Sequence, residues 1–272
     1  MAGEQVRLTG VPETLLATLY GRALDARQSD PILGDDVADE IVRRLDYDFG
    51  KLRVTRSDGM SVAIRAKYVD RATADALAAV PGATVLHLGS GLDTRALRLD
   101  PEGRIEWYEV DFPAVIDLRR AVVPPLGRYH PIGSSVTDLG WLDEVPPDQP
   151  VVVVAEGLMQ YLGKDDFVRL LRAVVDRFPR GQLVFDSWSS LGARVGKYQR
   201  SIRATGATTG GWGIDDPRDL ERWVPGLRLV AAQDFMHVPE LARASAATRA
   251  VVAVMRRVRV LRDIGLILRY SF

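Results

Sequence analysis

From Pro81-Gly82 to its last residue the chain alternates short apolar runs with longer helical stretches, a pattern that few folds accommodate. The runs are ATVLHL (83–88), IEWYEV (105–110), YHPIG (129–133), VVVVA (151–155), QLVFD (182–186), LRLVAA (227–232) and GLILRYSF (265–272). Apolar runs of this length with helices between them specify βαβ units and a parallel sheet. The run at 151–154 is the clearest strand, because consecutive β-branched residues suit burial on both faces. Before residue 80 the period is helical instead. Leu15-Leu16, Leu19-Tyr20 and Ala23-Leu24 recur at three- and four-residue spacing, as do Val37, Ile41, Val42 and Leu45. Asp30-Pro31 reads as a break, since proline disfavours helix in the residue before it, and 62–77 reads as a third helix. The expected organisation is an all-helical cap over 1–80 and an α/β domain over 81–272. The Gly-, Ser- and Thr-rich stretch within 187–216 predicts a lid at about 190–215.

Charge and cysteine usage narrow the chemistry. The 272 residues hold 36 Lys+Arg against 36 Asp+Glu, so no long-range field draws the whole molecule to nucleic acid or an anionic membrane. With no cysteine there is no disulfide, thiolate nucleophile or Cys-ligated metal, and three scattered histidines make a poor metal cluster. The first residues lack a basic stretch followed by an apolar one, and no apolar run approaches ~20 residues. The expectation is a cytoplasmic chain with no bound metal.

The first strand of the α/β region ends in HLGSGLDTR (87–95), and the second ends in WYEVD, with Asp111 last. A Gly-Ser-Gly turn lets backbone amides approach a ligand, and an acid at the next strand tip accepts both hydroxyls of a ribose. Together they describe a pocket for an adenosine nucleoside. The dinucleotide fingerprint wants a third glycine where Thr94 stands, which weakens an NAD-dependent oxidoreductase reading. Tyr47-x-x-x-Lys51 has dehydrogenase spacing but precedes the glycine turn, so Tyr47 reads as cap packing. S-adenosylmethionine has no pyrophosphate to cradle and fits the pattern better.

ETLLATLYGRALDARQSDPILGDDVADEIVRRLDYDF, VLHLGSGLDTRALRLD, WYEVDFPAVIDLRR, AEGLMQYL and the closing LRYSF, in this order, resemble the leucine carboxyl methyltransferase family. Within it they most resemble the branch of polyketide O-methyltransferases related to the tetracenomycin-pathway carboxyl methylating enzyme. The resemblance implies a class I methyltransferase: a Rossmann-like, mainly parallel seven-stranded sheet with its last strand antiparallel. It implies S-adenosylmethionine as cofactor and a small-molecule carboxylate or hydroxyl as methyl acceptor. Carried over residue by residue, it puts Arg65 on the methionine carboxylate, for which a guanidinium fork is suited. Gly89, Ser90 and Gly91 line the methionine moiety, Asp111 holds the ribose with Phe112 beside it, and Ser135 and Val136 flank the adenine, with Asp138 as a rival. Glu156 faces the amino-acid end or the sulfonium. Tyr161 points toward the acceptor, and Tyr20 joins it in the substrate set.

Other residues are read from their surroundings. His87 and His130 sit in or beside strands and read as core histidines, while His237, after the sixth strand, is the one histidine placed for catalysis. Trp188, Trp212 and Tyr198 lie in or near the lid, where they either stack on a flat acceptor or form lid core. Arg249, Arg256, Arg257, Arg259 and Arg262 crowd one segment, the best feature for a nucleic-acid module. Its interleaved valines make it amphipathic instead, a packed helix with a solvated basic face. No convincing general base is visible, which favours an acceptor already ionised at neutral pH.

Overall fold

The computed structural model describes residues 4–6, 13–196 and 206–272. A two-residue strand, β1 (Glu4–Gln5), precedes α1 (Thr14–Ala26) and α2 (Asp36–Arg44), and pairs in parallel with β2 (Leu45–Asp46). The region expected to be all-helical therefore carries a small strand pair. The Asp35 side chain caps α2 by accepting from the Ala38 amide, and the helix runs from Asp36 and Asp39 to Arg43 and Arg44, matching its dipole. The third helix, α3 (Arg56–Ala79), starts well before residue 62, because Thr55 and Asp58 form a reciprocal capping box. Its first turns contain Ser57, Gly59 and Ser61, and their low helix propensity hides the start from a periodicity reading.

Seven strands follow: β3 (Thr84–Leu88), β4 (Trp107–Asp111), β5 (Tyr129–Gly133), β6 (Val151–Ala155), β7 (Gly181–Trp188), β8 (Arg228–Asp234) and β9 (Gly265–Ser271). They form one sheet in the order β5-β4-β3-β6-β7-β9-β8, with β9 antiparallel to both neighbours and the other pairings parallel. Strand β7 outruns its apolar core, since β9 pairs with it from Gln182 to Trp188. The order reverses between β3 and β6, and ligands in open α/β sheets bind at the carboxyl ends of the strands flanking such a switch.

The valine strand is buried on both faces, as its composition requires. Val152 and Val154 pack with Val85 and Val184 against Ile64, Tyr68 and Val69 of α3. Val151 and Val153 turn to the other face, toward Phe167, Leu170 and Val174 of α4 (Lys164–Arg177). A separate core joins α1 and α2 to Leu92, Val115 and Leu118, so the cap is clamped onto the loop that follows β3.

The arginine-rich segment differs from expectation. The helix Ala246–Met255 breaks before a short turn at Arg259–Arg262, and neither contains a buried residue. The segment's apolar side is only partly covered: Val251 and Val258 are exposed, while Val252, Met255 and Leu261 are half-buried and Val252 reaches the cleft. The arginines also hold the segment down: Arg249 donates to the Ala244 carbonyl at 2.7 Å and Arg256 to that of Met236 at 2.6 Å. Among the described residues no helix is long and apolar enough to cross a membrane.

Candidate active site

A cleft of about 890 Å³ opens at the carboxyl ends of β3, β4 and β6, roofed by α1 and the start of α3. Gly89 and Gly91 end β3 with φ of +62° and +52°, conformations that side chains rarely adopt. The turn is pinned from behind by two arginines. Arg119 donates to the carbonyls of Gly91 and Asp93 at 2.9 and 2.7 Å, and Arg22 to that of Leu92 at 2.9 Å. Arg119 is itself held by Glu109, whose carboxyl its guanidinium keeps low against the cost of burial.

Asp111 accepts from the amides of Gly91 and Phe112, both at 2.7 Å, so the acid at the tip of β4 fixes the glycine turn directly. Burial raises its carboxyl while those two amides pull it back. Each of its oxygens keeps a lone pair for a ligand hydroxyl. Beside it Phe112 is 42% exposed on the cleft wall, a flat apolar surface for a base. Among the described residues, Ser90 Oγ and Gln160 Oε1 of the lining are buried with no hydrogen-bond partner, as polar atoms that meet a ligand would be.

Arg65 and Glu156 meet across the cleft floor, where Arg65 Nε donates to Glu156 Oε1 at 2.9 Å. The other oxygen of Glu156 accepts from Arg95. Both guanidiniums hold the Glu156 carboxyl below its ordinary value although burial opposes them. Glu156 is thus an anchor for two arginines and not a free acid. Arg65 remains one-fifth exposed, with an edge toward the cleft.

Arg95, Asp93 and Asp186 escaped the sequence reading. Arg95 is fully buried and spans Asp70 at 2.6 Å, Asp93 at 2.5 Å and Glu156 at 2.5 Å. Asp186, two residues before the end of β7, accepts from the Gly157 amide at 2.5 Å. The sequence signal for Asp93 and Arg95 is the charged Asp-Thr-Arg one residue after the glycine turn, and that for Asp186 is an acid following the apolar run 183–185.

Of the remaining expected residues, Tyr161 and Trp188 line the cleft. Trp188 is walled in by Gly192 and Gly196, where a Cβ would come within 3.1 Å of its side chain at the first and 2.2 Å at the second. Ser135 and Val136 lie outside the lining; Val136 is core and Ser135 bonds Thr137. Tyr20 also stays outside, stacked on Phe49 at 5.0 Å. Trp212 packs on Phe167 and Trp223 and donates to the Leu162 carbonyl, which ties it to the core beside the sheet and not to an acceptor. His237 is exposed on the surface against Asp234 at 2.9 Å, away from the lining, because the turn bends its ring outward and gives the cleft Phe235 and Met236. His87 is buried but does reach the lining, between Asp93 and Glu109. His130 stacks on Tyr108 at the far end of the sheet, and Tyr47 donates to Glu13 within the cap. Tyr198 lies outside the described residues. Among those residues, no group of three or more His, Asp or Glu is placed to hold a metal ion.

A family model described as leucine carboxyl methyltransferase matches residues 16–175. The chain belongs to this family. It is 47% identical over 270 residues to the tetracenomycin polyketide synthesis O-methyltransferase TcmP of Streptomyces glaucescens, covering 99% of this chain and 100% of that relative. It is 38% identical to the S-adenosyl-L-methionine-dependent methyltransferase dpfgK of Gibberella zeae, over 86% of this chain and 85% of the relative. The fold matches that of the N-methyltransferase NodS from Bradyrhizobium japonicum with a TM-score of 0.51 at 12% identity, covering 89% and 98% of the two chains. This leucine carboxyl methyltransferase family member is an S-adenosylmethionine-dependent O-methyltransferase with the class I sheet.

Steric blockade of the glycine turn gives a direct check on the cleft. A valine at Gly89 would place its Cβ 2.9 Å from Leu158 and hold a β-branched residue at positive φ. Gly89→Val is expected to abolish S-adenosylhomocysteine binding in calorimetry; retention of wild-type affinity would move the cofactor elsewhere.

Proposed function

We propose that the cleft holds S-adenosylmethionine along the glycine turn and presents its methyl group to an ionised oxygen of a small, flat, polyketide-like acceptor. The observation that carries this reading is the direct bond between Asp111 and the Gly91 amide, which puts a ribose acceptor and a backbone cradle on one wall. Phe112 would cover the adenine, Asp111 would hold the ribose, and Arg65 with Ser90 would take the amino-acid end. The cofactor supplies an electrophilic methyl carbon on a sulfonium. The protein's part is to align the oxygen about 3 Å from that carbon and keep water out.

The far wall, with Met60, Ile64, Phe235, Met236, Leu241 and Val252, is apolar and suits a fused-ring acceptor. The polyketide class of TcmP supports the same choice. Among the described lining residues, the histidine, His87, is buried between Asp93 and Glu109 behind the glycine turn and presents no free edge to an acceptor. Burial raises the Tyr161 hydroxyl above its ordinary range, Glu156 is locked on two arginines, and His237 is outside. An acceptor carboxylate or acidic hydroxyl needs no base.

The test is mass spectrometry of polyketide carboxylates and phenols incubated with enzyme and cofactor, with kcat followed against pH for the best acceptor. A carboxylate acceptor gives a profile nearly flat from about pH 6 to 9, and His237→Ala keeps most of the activity. A rate that climbs through about pH 6.5 and collapses in His237→Ala would overturn the base-free reading.

A further inference from the structure

The ion pairs under the cleft form one continuous chain from the cap to the centre of the sheet. Arg22 on α1 binds Asp35, which also binds Arg98; Arg98 shares Asp70 and Asp93 with Arg95. Arg95 then binds Glu156, Glu156 binds Arg65, and Arg65 faces Asp186. Among the described residues four guanidiniums thus alternate with five carboxylates, Asp35, Asp70, Asp93, Glu156 and Asp186, a surplus of one negative charge. Glu109 and Arg119 balance each other separately, and His87 stands between that pair and Asp93.

The surplus has a location. Asp35, Asp70, Asp93 and Glu156 each touch two guanidiniums at 3.1 Å or less. Asp186 has one guanidinium, Arg65, and that is 3.7 Å away. Asp186 is buried and adjoins the cleft through the Gly157 amide and Arg65, without lining the cleft itself. A charge removed from water with half a partner is costly unless a bound cation completes it.

We propose that Asp186 is a positioning residue whose uncompensated charge makes the cleft select the cationic sulfonium cofactor over its neutral thioether product. S-adenosylmethionine carries a sulfonium and an ammonium against one carboxylate, a net charge of one positive. S-adenosylhomocysteine has lost the sulfonium and is neutral overall. The cofactor therefore neutralises the chain and the product does not, so methyl transfer itself weakens the hold on the spent cofactor. Burial and the charge of Glu156 raise the Asp186 carboxyl against the pull of Arg65, which agrees with a carboxylate short of positive neighbours.

This inference rests on the cofactor occupying the cleft, and calorimetry at about pH 6.5, where the ligand amines are protonated, separates the two. Three ligands are compared: S-adenosylmethionine, S-adenosylhomocysteine, and an analogue bearing a protonated amine in place of the sulfonium. Asp186→Asn is expected to weaken the two cationic ligands about tenfold and the neutral one less than about twofold. An equal loss for all three would make Asp186 merely structural, and no change for any would remove its charge from the site; either overturns the proposal. Gly89→Val, run alongside, reports on the cleft. If it leaves all three affinities intact, the placement of the cofactor fails; if it abolishes them while Asp186→Asn leaves their ratios unchanged, the Asp186 proposal alone fails.

Discussion

Arg95→Met is expected to lower the stability of this protein by about 3–5 kcal/mol at pH 7, the cost of breaking a buried charge cluster by removing one partner. The guanidinium is fully buried and bonds Asp70, Asp93 and Glu156, which come from α3, the glycine turn and the end of β6. Methionine fills much of the volume but leaves those carboxylates facing one another with less positive charge between them. In a chain of this size the melting temperature should fall by roughly 10 °C. The loss depends on pH with a definite sign. In the wild type the arginines hold the Glu156 and Asp93 carboxyls low, so their stabilisation is present above the unfolded carboxylate range and is lost as pH falls below that range through their depressed folded values. In the variant the same carboxyls are raised and take up protons on acidification. The gap between variant and wild type should therefore be wide at pH 7 and narrow toward pH 4. A gap independent of pH, measured by thermal denaturation, would show that Arg95 acts through packing and not charge.

Asp111→Ala is expected to cost at least tenfold in S-adenosylhomocysteine affinity. Charge-assisted hydrogen bonds are worth roughly 1.5–3 kcal/mol each, and the substitution also frees the Gly91 and Phe112 amides that the carboxylate holds. The acid is therefore more than a ribose ligand: it ties the tip of β4 to the turn after β3. Asp111→Asn keeps an acceptor for one amide and should lose less than alanine. Because burial raises the Asp111 carboxyl, wild-type affinity should decline on acidification earlier than an ordinary carboxylate dictates. Calorimetry across pH checks both points, and an unchanged affinity in the alanine variant would remove Asp111 from the site.

The sheet and half of the site were legible in the sequence, for a local reason. Burial repeats along a strand every two residues and on both faces for an interior strand, so residues 151–155 and the flanking runs announce themselves without knowledge of their neighbours. The Gly89-Ser90-Gly91 turn and Asp111 are legible because a positive φ and a strand-tip acid are properties of a few consecutive residues. What only the tertiary structure decided is which charged and aromatic residues come inside. Arg65 and Glu156 lie 91 residues apart and Arg95 and Glu156 61 apart, and nothing periodic in a sequence distinguishes a buried arginine from a solvated one. Packing likewise took Trp212 onto Phe167 and Tyr20 onto Phe49, while His237 turned outward. Val251 and Val258 reverse the error: their helical spacing signals a buried face, yet both are exposed, and only Val252, Met255 and Leu261 of that face are half-buried. Periodicity encodes which face of a segment is apolar, whereas long-range pairing decides what that face or charge meets, and the cleft of this methyltransferase is built from the second kind of information on a scaffold set by the first.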